Sequence, residues 1–239
     1  MLLFMQKIAI IIPCYNEEKR LDERKVSELL SLCNIEIYFA NDGSKDNTLS
    51  LLNQIKCNHQ NIKILDFKKN EGKANTIFKT VKLLLEKKYD YIGYLDADFS
   101  TSPIEFSKLT SSIEQQNNKF VIASRVLLLN SKITRKWHRH IIGRVIITVI
   151  NLKFKLGIYD TQCGAKIFST ELLSKVFTRP FYSSWLFDIE IFIRLKEHNL
   201  LSDGKEIPIA EWTDIDGSKL GWKTSFKILK ELILINLKY

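Results

Sequence analysis

The chain of 239 residues is 45% hydrophobic and 26% charged, which is typical of a globular protein and excludes an intrinsically disordered one. Its formal net charge of +9 predicts an anionic partner: a nucleic acid, an acidic membrane surface or a phosphorylated small molecule. The four cysteines form no C-x-x-C pair, so neither a zinc site nor a disulfide framework is indicated, and a reducing cytoplasmic setting is favoured.

Strand-like and helix-like segments alternate along the first half of the chain. The strand-like runs are residues 8–12, 35–40, 62–67, 91–95 and 120–123, and the segments with helical spacing are 17–32, 47–55 and 74–85. Strands that alternate with helices predict a single α/β domain with a mostly parallel central sheet flanked by helices. Binding sites in such sheets gather at the carboxyl ends of the strands.

Polar residues follow each of the first three predicted strands. Tyr15 offers a flat face for a nucleotide base, and Asn16 can cap the helix that follows. Asp42 can accept the N–H of a base, Gly72 lets the backbone approach a ligand closely, and Lys73 supplies charge for a phosphate. Each cluster alone is compatible with ordinary turn chemistry, but their recurrence at successive strand ends predicts a nucleotide site.

The fourth predicted strand ends in two carboxylates, Asp96 and Asp98. Unpaired carboxylates at the end of a core strand are costly to bury unless a cation or hydrogen-bond donors meet them. Mg²⁺ and Mn²⁺ prefer such oxygen ligands, so the pair is a candidate site for a divalent metal that binds a diphosphate. The alternative is that Asp98 caps the next helix, which would begin near Pro103.

Two apolar segments carry interspersed basic residues but no span of about 18 apolar residues, the length that crosses a bilayer. They are residues 141–156, which include Arg144 and Lys153, and residues 226–239, which include Lys227 and Lys230. Amphipathic basic helices of this kind either cover the core or rest on an anionic membrane surface.

The motifs taken together resemble a known family. In the first half they are P-x-Y-N-E (13–17), N-D-G-S (41–44), N-x-G-K (70–73) and D-A-D (96–98). This order resembles the donor half of the family 2 inverting glycosyltransferases. The second half contains S-R (124–125), D-T-Q-C-G-A-K (160–166), W-L-F-D-I-E (185–190), P-I-A-E (208–211) and G-S-K (217–219). That series is similar to the dolichyl-phosphate β-glucosyltransferases and their bacterial relatives, and it extends the resemblance over nearly the full chain.

The resemblance implies a GT-A fold, which is Rossmann-like, in one domain of residues 1–239. Residues 1–100 would form the nucleotide-sugar half, 101–221 the acceptor half and 222–239 an amphipathic carboxyl-terminal helix. The implied reaction moves a hexose, glucose by this resemblance, from a UDP-sugar to a polyprenyl phosphate of dolichyl or undecaprenyl type, with inversion. The rival is an enzyme of the same fold that glycosylates a saccharide hydroxyl of capsule, lipopolysaccharide or another cell-surface glycan.

The resemblance also assigns residues on the donor side. The nucleotide sugar would be bound by Pro13, Tyr15, Asn16, Glu17, Asp42, Gly72, Lys73, Asp96, Ala97 and Asp98. Asp96 and Asp98 would hold Mg²⁺ or Mn²⁺, which lowers the cost of charge on the departing UDP.

We expect a peripheral protein on the cytoplasmic face of a membrane. Nucleic acid is not expected as a partner, because no DNA- or RNA-binding signature is present.

The acceptor side rests on basic and polar residues of the second half. A phosphate monoester, with its second pKa of about 6, is already anionic near neutral pH and needs positioning more than deprotonation. Arg125 suits that task, as do Arg135 and Arg139 at helical spacing, although residues 135–140 are equally compatible with a solvated or lipid-headgroup-facing surface. Gln162 and Lys166 can donate further hydrogen bonds to an acceptor or sugar.

Asp188 is the remaining candidate catalytic residue, beside Asp96, Asp98 and Arg125. It is a general base, an acceptor-site residue or a ligand to the donor sugar, and the sequence leaves these three roles open.

Overall fold

The structure is a computed structural model that describes residues 6–116, 118–134, 137–214 and 222–239, and for 137–140 and 222–226 the backbone alone. Its strands are β1 (Ile8–Cys14), β2 (Ile35–Asp42), β3 (Ile62–Phe67), β4 (Tyr91–Leu95), β5 (Phe120–Ser124), β6 (Lys132–Thr134), β7 (Ala165–Ser169), β8 (Gly204–Pro208) and β9 (Glu211–Thr213). Its helices are α1 (Glu23–Leu32), α2 (Thr48–Asn58), α3 (Lys73–Leu85), α4 (Pro103–Gln116), α5 (Trp137–Phe154), α6 (Thr170–Val176), α7 (Phe187–Glu197) and α8 (Trp222–Lys238).

Seven strands form one sheet in the order β3-β2-β1-β4-β7-β5-β8. All of them run parallel except β7, which pairs antiparallel with both β4 and β5. The expected mostly parallel α/β sheet is therefore confirmed. A second, two-stranded parallel sheet joins β6 to β9.

The central strands are buried on both faces, which explains their nearly continuous apolar sequences. Along β1 the side chains of Ala9 and Ile11 enter one core, whereas those of Ile8, Ile10 and Ile12 enter the other. Helices α3, α5, α6, α7 and α8 cover the first core, and α1, α2 and α4 cover the second. Strand order reverses between β1 and β4, so their carboxyl ends open a crevice where ligands bind in folds of this type.

The start of α1 differs from the prediction. The sequence placed it at residue 17, but the helix begins at Glu23, and Asp22, not Asn16, caps it by accepting from the Arg24 amide. The backbone amides of Glu17 and Glu18 instead donate to Thr48 Oγ1, at 2.8 and 3.1 Å. These contacts hold the segment after β1 as an irregular loop against the start of α2.

None of the helices in the described part of the chain is both long and apolar enough to span a bilayer. The two amphipathic segments form α5 and α8, whose inner faces both enter the first core. On α5 the buried residues are Ile146, Ile147 and Ile150, and on α8 they are Ile228, Leu232 and Ile235.

Candidate active site

A cavity of about 800 Å³ opens at the carboxyl ends of β1, β2 and β4. The predicted site residues that line it are Pro13, Tyr15, Glu17, Asp42, Gly72, Lys73, Asp96, Ala97, Asp98, Arg125, Gln162 and Asp188. The chain thus brings together residues from positions 13 to 188. Arg135 and the side chain of Arg139 lie outside the described residues, so their roles stay predictions.

Asp96 and Asp98 lie half-buried on the turn that follows β4. The Asp96 amide donates to Gly164 O at 3.0 Å, and Asp98 Oδ1 accepts from the Ser100 amide at 3.0 Å. Phe99, which follows Asp98, has a φ of 51°, a left-handed conformation that is strained for a bulky residue. Helix α4 is capped by Ser102, whose Oγ accepts from the Glu105 amide. Asp98 therefore stabilises its own turn and not the helix.

The Asp96 carboxyl packs directly on Gly164, the residue before β7. A Cβ atom at position 164 would lie 1.9 Å from Asp96 Oδ2 and 2.3 Å from its Cγ. Because β4 and β7 pair with Leu95 opposite Ala165, neither backbone has room to retreat. The absence of a side chain at 164 is thus what lets this carboxylate sit in the cavity floor.

Lys73, the first residue of α3, pairs with Asp96 through an Nζ–Oδ1 distance of 2.5 Å. Burial lowers the pKa of Lys73, but the neighbouring Asp96 and Asp188 carboxylates outweigh it and raise the pKa overall. Gly72 precedes the helix with φ 87° and provides no side-chain cap, so α3 has free N–H groups in its first turn. A cation and a helix N-terminus thus meet at the cavity wall, as an anionic ligand requires.

Asp42 is buried at the end of β2 and holds the loop before α3 in place. Its two oxygens accept from the backbone amides of Glu71 at 2.9 Å and Gly72 at 2.8 Å. These bonds fix the approach of Gly72 to the cavity. The predicted contact of Asp42 with a base would use its remaining lone pairs and stays a prediction.

Arg20 is a cavity residue that the sequence did not single out. Its guanidinium makes two bonds to Glu17, Nε–Oε2 at 2.8 Å and Nη2–Oε1 at 2.6 Å. The hydrogen bond that Arg20 donates to Glu17, with the nearby Asp98 and Asp96 charges, raises the pKa of Arg20 despite its partial burial. The only available signal was its spacing of three residues from Glu17.

Asn16 is exposed and lies outside the cavity lining. Its Oδ1 accepts from the Lys45 amide at 2.8 Å, and its own amide donates to Ser44 Oγ at 3.0 Å. Asn16 therefore joins the loops after β1 and β2, and its contact with a nucleotide stays a prediction.

Arg125 follows β5, and its guanidinium forms an ion pair with Asp160. Its Nε and Nη2 donate to the two Asp160 oxygens at 2.6 and 2.8 Å, and the guanidinium lies 5.1 Å from the Trp212 ring centroid. Burial lowers the pKa of Arg125, but Asp160 more than offsets this, so the group stays charged. Its edge still lines the cavity, so a contact with an acceptor phosphate remains a prediction.

Lys166 does not reach the cavity. Its side chain is 0% exposed, and Nζ donates to Asp188 Oδ1 at 2.7 Å and to the carbonyl of Cys163. Tyr94 OH donates to the same Asp188 oxygen. This corrects the expectation of a direct contact between Lys166 and an acceptor, because a fully buried ammonium touches Asp188 instead.

Helix α8 reaches the cavity through Lys227 and Ile228. Glu231, one turn further on, accepts from Ser184 Oγ at 2.8 Å and from the Trp185 amide at 2.9 Å. Ser184 and Trp185 line the cavity as well. The sequence predicted the helix but not this attachment, because the contact joins residues about 46 positions apart.

Residues 9–177 match the model of the family described as "Glycosyl transferase family 2". The chain belongs to glycosyl transferase family 2. The glycosyltransferase is 30% identical to the dolichyl-phosphate beta-glucosyltransferase of Dictyostelium discoideum, over 97% of this chain and 74% of the relative. It is 29% identical to the Saccharomyces cerevisiae protein of the same description, over 97% of this chain and 75% of the relative.

Among solved structures, the glycosyltransferase resembles glucosyl-3-phosphoglycerate synthase from Mycobacterium tuberculosis in complex with Mn²⁺, UDP and glucosyl-3-phosphoglycerate. The TM-score is 0.75 at 14% identity, over 98% of this chain and 79% of the other. The likeness shows the fold, which is GT-A as expected from the sequence.

Proposed function

We propose that this glycosyltransferase moves glucose from UDP-glucose to a polyprenyl phosphate, with inversion at the anomeric carbon. Two sets of relatives support the two substrates. The 30%-identical relative that matches 97% of the chain is a dolichyl-phosphate beta-glucosyltransferase, and the solved neighbour is described as a complex with Mn²⁺ and UDP. The observation that carries the proposal is the meeting of two half-buried carboxylates with a lysine at the open end of α3.

On the donor side, Asp96 and Asp98 would hold a divalent metal, Mg²⁺ or Mn²⁺. Their oxygens are hard donors at the cavity surface, where the Asp96 side chain is 39% exposed. Among the described residues, no cluster of three or more His, Cys, Asp or Glu side chains is arranged so that it could hold a metal ion. When bound, the metal acts as a Lewis acid on the departing diphosphate.

Lys73 and Arg20 add fixed positive charge at the same end of the cavity. Lys73 neutralises Asp96, and its position in the first turn of α3 also suits a diphosphate oxygen. Arg20 lies on the Glu17 loop beside Asp96 and Asp98. Together these cations stabilise the negative charge that develops on UDP as the bond to the sugar breaks.

On the acceptor side, the phosphate of the lipid is the nucleophile. One phosphate oxygen attacks the anomeric carbon from the face opposite UDP, the new C–O bond forms, and the bond to the UDP oxygen breaks. No proton has to be removed, because the phosphate is already anionic near neutral pH. Lys227, which lines the cavity, and the free edge of Arg125 can position it.

A membrane surface would bring the lipid to this cavity. The outer faces of α5 and α8 are apolar, and their exposed residues are Ile141, Val145, Val149, Leu152, Leu229, Ile233 and Leu237. Both helices reach the cavity, and Lys153 of α5 donates to Asn236 O of α8. Lys153 and Lys230 are exposed, whereas Glu231 is buried among its donors. We therefore propose peripheral docking on an anionic membrane surface, and the free thiols fit a cytoplasmic setting.

Docking is tested by flotation with vesicles of phosphatidylcholine, with and without phosphatidylglycerol. We expect binding to the anionic vesicles only, and a loss of at least about tenfold in Leu229→Asn/Ile233→Asn. The control is Leu83→Asn, which changes a similarly exposed leucine on α3. Equal flotation of all three proteins would contradict the proposed surface.

The acceptor is tested by product chemistry. Purified protein is incubated with labelled UDP-glucose, Mn²⁺ and either undecaprenyl phosphate or an oligosaccharide panel. A lipid-extractable product that mild acid cleaves supports the proposal. A product stable to mild acid and alkali supports the second candidate, transfer to a saccharide hydroxyl. This candidate is retained because Asp188 lines the cavity, where a carboxylate can act as the general base that a hydroxyl acceptor requires.

A further inference from the structure

We propose that Lys166 and Tyr94 are positioning residues that hold Asp188 so that its second oxygen, Oδ2, binds a hydroxyl of the donor hexose. The inference deepens the proposed function and rests on its donor half, the binding of a UDP-hexose. It does not depend on the acceptor.

Three elements converge on Asp188. Tyr94 on β4 and Lys166 on β7 are direct partners across the antiparallel strand pair, so their side chains leave the sheet on the same face. That face packs against α7, and Asp188 lies in the first turn of α7. The Tyr94 hydroxyl and the Lys166 ammonium, at 2.7 Å, both donate to Asp188 Oδ1.

The arrangement leaves one oxygen of Asp188 available. Among the described residues no hydrogen bond reaches Oδ2, although Asp188 is only 5% exposed and lines the cavity. The Tyr94 hydroxyl donates to Oδ1, as Lys166 does, so both protein donors are on the same oxygen. A buried carboxylate with a cation on one oxygen has its other oxygen free to accept from a ligand.

The position of Asp188 identifies the ligand group. Lys73 Nζ, which pairs with Asp96, lies 5.8 Å from the ring centroid of Phe187, the neighbour of Asp188, and 5.9 Å from that of Tyr94. Asp188 is thus next to the place where the diphosphate would sit. In a UDP-hexose the group attached to the diphosphate is the hexose, and its hydroxyls can donate hydrogen bonds to a carboxylate oxygen.

The same contacts speak against Asp188 as a general base. Two donors already occupy Oδ1 and fix the orientation of the carboxylate. A fixed carboxylate oxygen is better suited to orienting a sugar than to proton transfer.

The test is donor binding measured by calorimetric titration with Mn²⁺ present. The titrants are UDP, UDP-glucose, UDP-galactose and UDP-xylose. In Asp188→Asn we expect UDP affinity to stay within about twofold and UDP-glucose affinity to fall by about 10- to 100-fold, the loss of one charge-assisted hydrogen bond. The variant should also lose most of its preference for UDP-glucose over at least one of the other sugars.

The positioning residues are tested by Tyr94→Phe and Lys166→Met. Both should weaken UDP-glucose binding in the direction of Asp188→Asn and leave UDP binding unchanged. The matched control is Tyr91→Phe, because Tyr91 lies on the same strand and its hydroxyl donates to the Asn118 carbonyl, away from Asp188. It should bind all four nucleotides as the wild type does. If Lys166→Met does not fold, the UDP-glucose and UDP titrations of Tyr94→Phe alone test the positioning role.

Two results would overturn the inference. One is an Asp188→Asn enzyme whose sugar affinities are unchanged while its turnover is lost, which would make Asp188 a base. The other is a Tyr94→Phe enzyme that matches Tyr91→Phe in every titration. Failure of the proposed acceptor would look different, because the wild type would then discriminate among the sugars yet form no lipid product.

Discussion

Gly164→Ala tests the catalytic role that we propose for the Asp96 carboxyl. The backbone at Gly164 lies outside the left-handed region, so alanine meets no conformational strain there and only the added Cβ matters. That atom would lie 1.9 Å from Asp96 Oδ2, and the paired strands on both sides prevent the backbone from yielding. The carboxyl group itself therefore has to rotate away from the cavity floor and from Lys73.

The expected loss follows from this displacement. The Asp96 oxygen has to move by about 1 Å to reach a tolerable contact, and a misplacement of about 1 Å costs on the order of 10²-fold in rate. Stability should change little, because the Asp96–Lys73 pair is more than a third exposed at both ends and such pairs contribute about 1 kcal/mol or less. We therefore expect kcat/KM for UDP-glucose to fall about 100-fold with a nearly unchanged thermal midpoint.

The assay compares four enzymes: the wild type, Gly164→Ala, Asp96→Ala and the double variant. Since Asp96→Ala removes the group that clashes, Gly164→Ala should add less than about twofold to its loss. Gly164→Ala with at least half of the wild-type kcat/KM would refute the reasoning. Full additivity of the two losses would refute it as well, because the glycine would then act through another neighbour.

Two further predictions concern stability. Hydrogen bonds from Ser183 and Trp185 outweigh burial and lower the pKa of Glu231, so its contribution is present above about pH 4.5 and fades as the pH falls through the folded-state value. Glu231→Gln should cost about 1–3 kcal/mol in urea unfolding at pH 7 and less near pH 4; an equal cost at both values would contradict this. Arg125→Lys keeps the charge but loses the two-point contact with Asp160, so the unfolding free energy should fall by about 1–2 kcal/mol; an unchanged urea midpoint would exclude that role.

The sheet and the donor side of the cavity were predictable because their signals are local. A strand such as β1 is buried on both faces and is therefore a continuous apolar run, and the polar residues that follow it must lie at the sheet edge. The paired carboxylates Asp96 and Asp98 and the Gly72–Lys73 helix start were found in this way, and all of them line the cavity.

The contacts that the sequence did not reveal depend on registers and long-range packing. Lys166 was expected at the acceptor, but its place opposite Tyr94 is set by the antiparallel pairing of β7, which no local pattern encodes. The attachment of Glu231 to the Trp185 loop likewise requires the position of α8 against α7. The late start of α1 likewise depends on a distant residue, because Thr48 accepts from the amides of Glu17 and Glu18 and so fixes the loop that precedes the helix.

Transfer of label from UDP-glucose into an organic-extractable lipid tests the central claim most directly. Wild-type protein with Mn²⁺ and undecaprenyl phosphate should form an acid-labile glucosyl lipid, and Asp98→Asn should reduce the rate by about 10²-fold or more. A wild type that leaves all label in the aqueous phase, or an Asp98→Asn enzyme that transfers at the wild-type rate, would contradict it.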